Sequence, residues 1–121
     1  MQNPVVWFEV VGKDGDGLRR FYSDLFGWQT QIAEGDKGYG LVTHSNGAIG
    51  GGVGQSQDGG EGHVTFFVEV DDPAAYLARA EQLGGKTVVP PTEVPDYHLT
   101  FAYFTDPQGH LIGLAKGVAQ L

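Results

Sequence analysis

Hydrophobic positions follow two different periods along the first half of the chain, and these periods define its elements. Residues 5–11 form an apolar, β-branched and aromatic run that predicts a strand. Apolar residues spaced three or four positions apart over 18–26 predict a helix that ends at Gly27. Three shorter runs between glycine-rich turns predict further strands at residues 28–32, 39–43 and 48–53.

The second half repeats this order after a polar linker at residues 55–62. A strand at 63–70 precedes a helix that has Pro73 in its first turn and stops at the glycine pair after Leu83. The remaining segments predict a proline-rich loop at 90–95 and strands at 86–89, 99–105 and 110–115. Because neither half has a second face against which to bury its helix and sheet, we expect the two modules to pair.

Alternation within the first strand of each half predicts two different faces. One face is uniformly apolar and is expected to carry the helices; it contains Val6, Phe8, Val10, Val64, Phe66 and Val68. The opposite face is mixed; it contains Trp7, Glu9, His63, Thr65 and Phe67. A carboxylate and an imidazole on one face form a candidate acid–base pair, and aromatic rings beside them suit stacking on a planar ligand.

Length and residue usage narrow the class of protein. The chain has 121 residues, which suits a single domain with a first module at about 1–55 and a second at about 62–121. No apolar run reaches the roughly 18 residues of a membrane span, and the first ten residues do not resemble a signal peptide. The absence of cysteine excludes disulfides, thiolate metal sites and a cysteine nucleophile. The expected compartment is the cytoplasm.

The acidic charge balance argues against nucleic acid as a partner, as the absence of a long apolar run argues against a membrane. The chain carries 15 acidic and 7 basic residues, for a net charge of −8, and its largest basic cluster is the pair Arg19 and Arg20. Such a field repels phosphate backbones and attracts cationic small molecules. The alternative is that the acidic surface serves only to keep the protein soluble.

Four segments carry a resemblance to a known family. Residues 21–28 are similar to the "FY-x-x-x-FGW" helix end of the glyoxalase/bleomycin-resistance/dioxygenase proteins, the vicinal oxygen chelate superfamily. Residues 68–73, 80–86 and 106–114 also resemble family segments, the last of them "DP-x-G-x-x-x-x-L". The resemblance implies an α+β fold in which two βαβββ modules form a curved mixed sheet with a concave ligand cleft.

Metal-dependent members of this family use four ligand positions. The resemblance carries these positions onto Trp7, Gly51, His63 and Gly113. Only His63 has a side-chain donor atom, whereas a stable divalent site needs about three or four protein ligands. We therefore expect no metal and no other cofactor. A rearranged site that uses Glu9, His63 or His98 stays open.

The resemblance also places the mixed strand faces on the concave side, where this family keeps its ligand. The candidate ligand-binding residues are Trp7, Glu9, His63, Thr65, Phe67, Tyr97 and His98, of which the last two lie in a loop that could cover the cavity. A cationic or aromatic molecule suits this set. Two alternatives are that Trp7 fills the space of the missing metal as core packing, and that Glu9 and His63 form an ordinary buried hydrogen bond.

Three functions remain open from the sequence. The first is metal-independent binding of a small organic molecule. The second is a glyoxalase-like enzyme, a lyase, isomerase or dioxygenase, that uses either a rearranged metal site or Glu9 and His63 as a catalytic acid–base pair. The third is an interaction domain with a vestigial pocket. A homodimer is expected in each case, with modules paired within one chain or swapped between two.

Overall fold

Two βαβββ modules follow one another along the chain, which confirms the predicted α+β class. The structure is a computed structural model, and it describes residues 2–44 and 47–118. The chain forms two compact units, here called the first unit, Trp7–Val64, and the second unit, Met1–Val6 with Thr65–Leu121. Neither helix in the described residues is long and apolar enough to cross a membrane.

The first unit contains one helix and four strands in a mixed arrangement. Its elements are β1 (Val5–Gly12, whose first two residues belong to the second unit), α1 (Gly15–Phe26), β2 (Thr30–Ala33), β3 (Asp36–Val42) and β4 (Gly50–Gln55). The strands lie in the order β2-β3-β4-β1, and β4 pairs with β1 in parallel while the other neighbours are antiparallel.

The second unit has the same composition of elements. They are β5 (His63–Glu69, whose first two residues belong to the first unit), α2 (Pro73–Gln82), β6 (Lys86–Val94), β7 (Leu99–Thr105) and β8 (Leu111–Lys116). The order is β5-β8-β7-β6, with β5 parallel to β8 and the other neighbours antiparallel.

Both helices begin at an aspartate that caps them. The Asp14 carboxylate accepts a hydrogen bond of 3.0 Å from the Gly17 N–H, so α1 begins at Gly15, three residues before the predicted start of its apolar stripe. The Asp72 carboxylate caps α2 in the same way. Gly27 ends α1 with φ of 72°, the left-handed geometry that a glycine at this position allows.

The predicted loop at residues 90–95 is wrong, because β6 continues through Pro90 and Pro91 to Val94. Two features of β6 make the prolines acceptable. It is the last strand in the order of its unit, and its pairing with β7 shifts register between Thr87 and Thr92. A proline that has no N–H to donate is tolerated at such edge and bulge positions.

The predicted helix-bearing face is also wrong at two positions, since Val64 is 76% exposed and Phe66 is 40% exposed. The core of the second unit instead consists of Val70, Leu77, Ala102 and Leu114, with Val68 and Phe104 packed against it. A helix of ten residues is only about 15 Å long. Because α2 packs mainly on β6, β7 and β8, the apolar residues of β5 meet this core only near the strand's end.

Candidate functional site

A chain of three hydrogen bonds links four side chains within the first unit. The Trp7 indole Nε1–H donates to the Tyr39 hydroxyl at 3.1 Å, and this hydroxyl donates to Glu9 Oε2 at 2.7 Å. The other carboxylate oxygen of Glu9, Oε1, lies 2.6 Å from Nε2 of His63. We call Trp7, Tyr39, Glu9 and His63 the polar network.

Strand geometry explains how these side chains meet. Trp7 and Glu9 are two positions apart on β1 and therefore share a face. Glu9 lies opposite Gly52 on β4, and Tyr39 reaches over this glycine from β3. A Cβ atom at Gly52 would overlap the Tyr39 hydroxyl oxygen, so only glycine leaves room for the Tyr39–Glu9 bond.

Because the polar network is largely buried, its stability depends on its hydrogen bonds. Glu9 is 5% exposed and Trp7 is 9% exposed, whereas the His63 side chain is 26% exposed. An unpaired carboxylate at such a site would be costly, but each Glu9 oxygen has a polar neighbour. His63 is therefore the most accessible of the three.

The Tyr39 phenol is held in its protonated form. Burial raises the pKa of Tyr39 far above its ordinary value, and the neighbouring Glu9 carboxylate raises it further. The hydrogen bond from Trp7 acts in the opposite direction but is a smaller effect. The hydroxyl can therefore act as a permanent donor to Glu9.

Contact with Glu9 fixes the orientation of the His63 ring. An ionised carboxylate only accepts hydrogen bonds, so the Nε2 atom of His63 carries a proton in this pair. In the neutral imidazole the basic nitrogen is then Nδ1. A carboxylate that orients an imidazole in this way can support its action as a general base. The same geometry can also have a purely structural role.

Sequence reasoning missed Tyr39, which joins Trp7 to Glu9. It was predicted only as part of a strand. The signal that could have found it is the glycine triplet at 50–52, because glycine inside a strand often marks the close approach of a large group.

The seven predicted ligand residues divide between the two units. Trp7, Glu9 and His63 lie in the first unit, and Thr65, Phe67, Tyr97 and His98 lie in the second. Within the first unit, the structure brings Glu9 into direct contact with His63 and connects Trp7 to Glu9 through Tyr39.

In the second unit, two of these residues are buried by local contacts. Thr65 is 7% exposed, and its hydroxyl donates to the Leu111 carbonyl at 2.5 Å. Phe67 is 5% exposed, and its ring lies over Gly113 with its centroid 5.3 Å from that of Tyr103. Both side chains thus have a clear role in packing.

Tyr97 and His98 lie between β6 and β7, as predicted. Tyr97 ends a short 3₁₀ turn and is partly buried, and His98 follows it with an exposed side chain. His98 is the one non-glycine residue with positive φ, 53°, in the part of the chain that the structure describes. The role of this pair as a cover over a ligand stays a prediction.

The residues at the four positions carried over from the family's metal site do not suit a divalent metal. Gly51 lies opposite Phe8, and a Cβ atom there would overlap the Phe8 ring, so this position points away from the face that holds Glu9. A Cβ atom at Gly113 would overlap the Phe67 ring. Within residues 2–44 and 47–118, no group of three or more His, Cys, Asp or Glu side chains could hold a metal ion.

Comparison with known proteins decides the family. The model of the Glyoxalase/Bleomycin resistance protein/Dioxygenase superfamily matches residues 5–114. The chain belongs to this superfamily. Two curated relatives, from Mycobacterium bovis and Mycobacterium tuberculosis, carry the name CFP32 and a provisional assignment as glyoxylases. Each is 27% identical over 119 residues, which is 96% of this chain but 45% of the relative, so the chain spans less than half their length.

Solved structures share the superfamily's fold at low identity. A superfamily member from Vibrio splendidus has a TM-score of 0.64 at 15% identity, covering 95% of this chain and 99% of its own. A methylmalonyl-CoA epimerase bound to methylmalonyl-CoA has a TM-score of 0.63 at 15% identity, covering 98% and 97%. A Mn(II)-bound glyoxalase from Novosphingobium aromaticivorans has a TM-score of 0.65 at 18% identity, covering 97% of this chain and 40% of its own.

The raised pKa of Tyr39 predicts a specific loss of stability in alkali. Above the ordinary tyrosine pKa of 10.0, the unfolded chain releases the proton that the folded protein keeps. The free energy of unfolding should therefore fall by about 1.4 kcal/mol per pH unit more steeply in the wild type than in Tyr39→Phe, with no such difference below that pH. Urea unfolding measured on both sides of it gives the two slopes. Equal slopes in alkali would contradict the buried phenol.

Proposed function

We propose that the protein binds a small organic molecule at the polar network and does so without a divalent metal. The observation that supports this most strongly is the position of His63, whose partly exposed ring is fixed by the buried Glu9 carboxylate. A fixed polar group at the edge of buried aromatic surface is typical of small-molecule sites.

The proposed ligand contacts follow from the accessibility of the side chains in the polar network. Trp7 is nearly buried, and the two Glu9 oxygens face Tyr39 and His63, so a polar group of the ligand meets His63 first. A cationic or aromatic molecule remains the expected type, because the net charge of −8 attracts cations over a distance. In this arrangement Glu9 acts on a cation through its field and not through direct contact.

The fold supports this proposal by analogy. The methylmalonyl-CoA epimerases of this fold were solved with methylmalonyl-CoA or with 2-nitronate-propionyl-CoA, so the architecture accommodates organic ligands. A shared fold alone does not establish a shared substrate, and at 15% identity neither compound is assigned to this chain.

A metal-free lyase or isomerase is the second candidate, because the 2.6 Å contact of Glu9 with His63 also suits proton transfer. His63 Nδ1 would accept a proton from the substrate while Glu9 holds the ring. Incubating small oxo-acids with the protein in D₂O distinguishes the two functions. Exchange of a substrate C–H that stops in His63→Gln supports the enzyme, whereas binding without exchange supports the binder.

Ligand binding should be visible through Trp7 and through stability. In a Trp28→Phe background, we expect a cationic aromatic drug to quench Trp7 emission. The same compound should stabilise the fold by about 2.7 kcal/mol at a hundredfold excess over the dissociation constant. His63→Gln should weaken binding by roughly 1.5–3 kcal/mol, the range for a lost hydrogen bond to a charged group.

His110→Gln is the matched control, because His110 is exposed in a turn of the second unit and bonds to Asp106. It should leave binding unchanged. If no compound in a thermal-shift screen stabilises the protein, or if both histidine variants behave alike, the binding proposal fails. The interaction domain with a vestigial pocket then takes its place.

The poor fit of the donor set predicts that metal is absent from the purified protein. After dialysis, elemental analysis should find less than stoichiometric Zn, Ni, Mn and Fe. A His63→Ala sample serves as the comparison, since His63 is the one inherited position with a donor atom. One equivalent of metal in the wild type that disappears in His63→Ala would show that a rearranged site exists.

We also propose that the protein is a homodimer that buries the exposed face of α1. Phe21, Leu25 and Phe26 are 57%, 59% and 57% exposed, although they lie on the predicted apolar stripe. The rings of Tyr22 and Trp28 stack beside them with centroids 5.5 Å apart. A contiguous exposed apolar surface of this kind commonly marks a protein interface.

Leu25→Glu should convert the dimer to a monomer, because it places a charge in the apolar interface. Light scattering at micromolar concentration measures the mass. Leu83→Glu is the control, since Leu83 is 61% exposed at the end of α2 in the other unit. A wild-type monomer, or a dimer that only Leu83→Glu disrupts, would refute this interface.

A further inference from the structure

An arginine occupies the buried side of α1. The side chain of Arg19 is 9% exposed, while much of the apolar stripe on the same helix is open to solvent. Its Nη1 donates to the Gly38 carbonyl at 3.0 Å and to the Val53 carbonyl at 3.3 Å, and its Nη2 pairs with the exposed Asp16. The guanidinium thus connects α1 to both β3 and β4.

The two carbonyl groups stand next to the residues that build the polar network. Gly38 directly precedes Tyr39 on β3, and Val53 directly follows Gly52 on β4. Gly40 on β3 also leaves room for the arginine, because a Cβ atom at this position would lie only 2.5 Å from the Arg19 Cδ atom.

We propose that Arg19 is a positioning residue for the ligand site. Its planar guanidinium holds β3 against β4 where the Tyr39 phenol must pass over Gly52. The phenol then meets Trp7 on one side and Glu9 on the other. Through Glu9, the same contact sets the orientation of His63.

Packing alone does not explain why a charged group is buried at this position. A guanidinium loses its hydration inside a protein, so it needs acceptors that repay the loss, and an aliphatic side chain of similar length fills the same volume without that cost. Two backbone carbonyls on neighbouring strands are a pair that a rigid fork of donors can reach together. This inference depends on the proposed function only for its effect on ligand binding.

The Trp7 indole N–H reports directly on the position of Tyr39, because it donates to that hydroxyl. Its hydrogen-exchange rate can be followed by NMR in a Trp28→Phe background. In Arg19→Met we expect exchange at least about fivefold faster, the factor that the loss of one typical hydrogen bond corresponds to. Arg19→Lys, which keeps one donor group on a shorter reach, should restore part of the protection.

Two controls separate positioning from general loss of stability. Leu77→Ala destabilises the core of the second unit, and at an equal drop in melting temperature it should leave Trp7 exchange unchanged. Asp16→Asn removes the exposed ion-pair partner but keeps both carbonyl contacts, and it should also leave exchange unchanged. Should Arg19→Met fail to fold, the comparison of Arg19→Lys with Asp16→Asn gives the same decision.

The proposal is overturned if Trp7 exchange in Arg19→Met, or in Arg19→Lys where only that variant folds, is no faster than in Leu77→Ala. It is supported if exchange rises in the arginine variants alone. This result does not require any ligand. A ligand screen without a binder would therefore refute the proposed function and leave the positioning role of Arg19 separately measured.

Discussion

The Glu9 carboxylate is almost completely buried in a β-strand, and it must be satisfied there for the first unit to fold as it does. Its two oxygens accept from the Tyr39 hydroxyl and contact the His63 ring. These contacts explain otherwise unrelated features of the sequence. Gly52 leaves space for the Tyr39 phenol. Arg19 binds the two strands that carry Tyr39 and Gly52.

The same constraint shapes what the site can do. A carboxylate that is committed to two neighbours is a poor direct ligand for metal or cation, but it holds an imidazole in one orientation. In the first unit, the rings of Trp7, Phe8 and Tyr39 pack against the glycines of β4, where a carboxylate ligand on that strand would need room. The chain keeps the superfamily's fold, while only His63 among the four positions carried over from its metal site has a side-chain donor atom, which is consistent with a fold that hosts many chemistries.

The order of elements was predictable from hydrophobic periodicity, and α1, α2 and β7 lie close to their predicted positions. The strand face that carries the core was not predictable, because the residues that α2 covers depend on how the helix lies across its sheet. Tyr39 could not be assigned either, since its contact with Glu9 depends on the register of β3 against β4. In the sequence Arg19 stands out only as part of a basic pair with Arg20; the three-dimensional paths of β3 and β4 show the carbonyl groups that it binds.

The most direct test of this account is a double-mutant cycle between Tyr39→Phe and Glu9→Gln, with the free energy of unfolding measured at neutral pH. If the phenol satisfies the buried carboxylate, the two substitutions should be coupled by roughly 1.5–3 kcal/mol, the range for a hydrogen bond to a charged group. If their effects add to within about 0.5 kcal/mol, the two residues are independent and Glu9 is not held by the network described above.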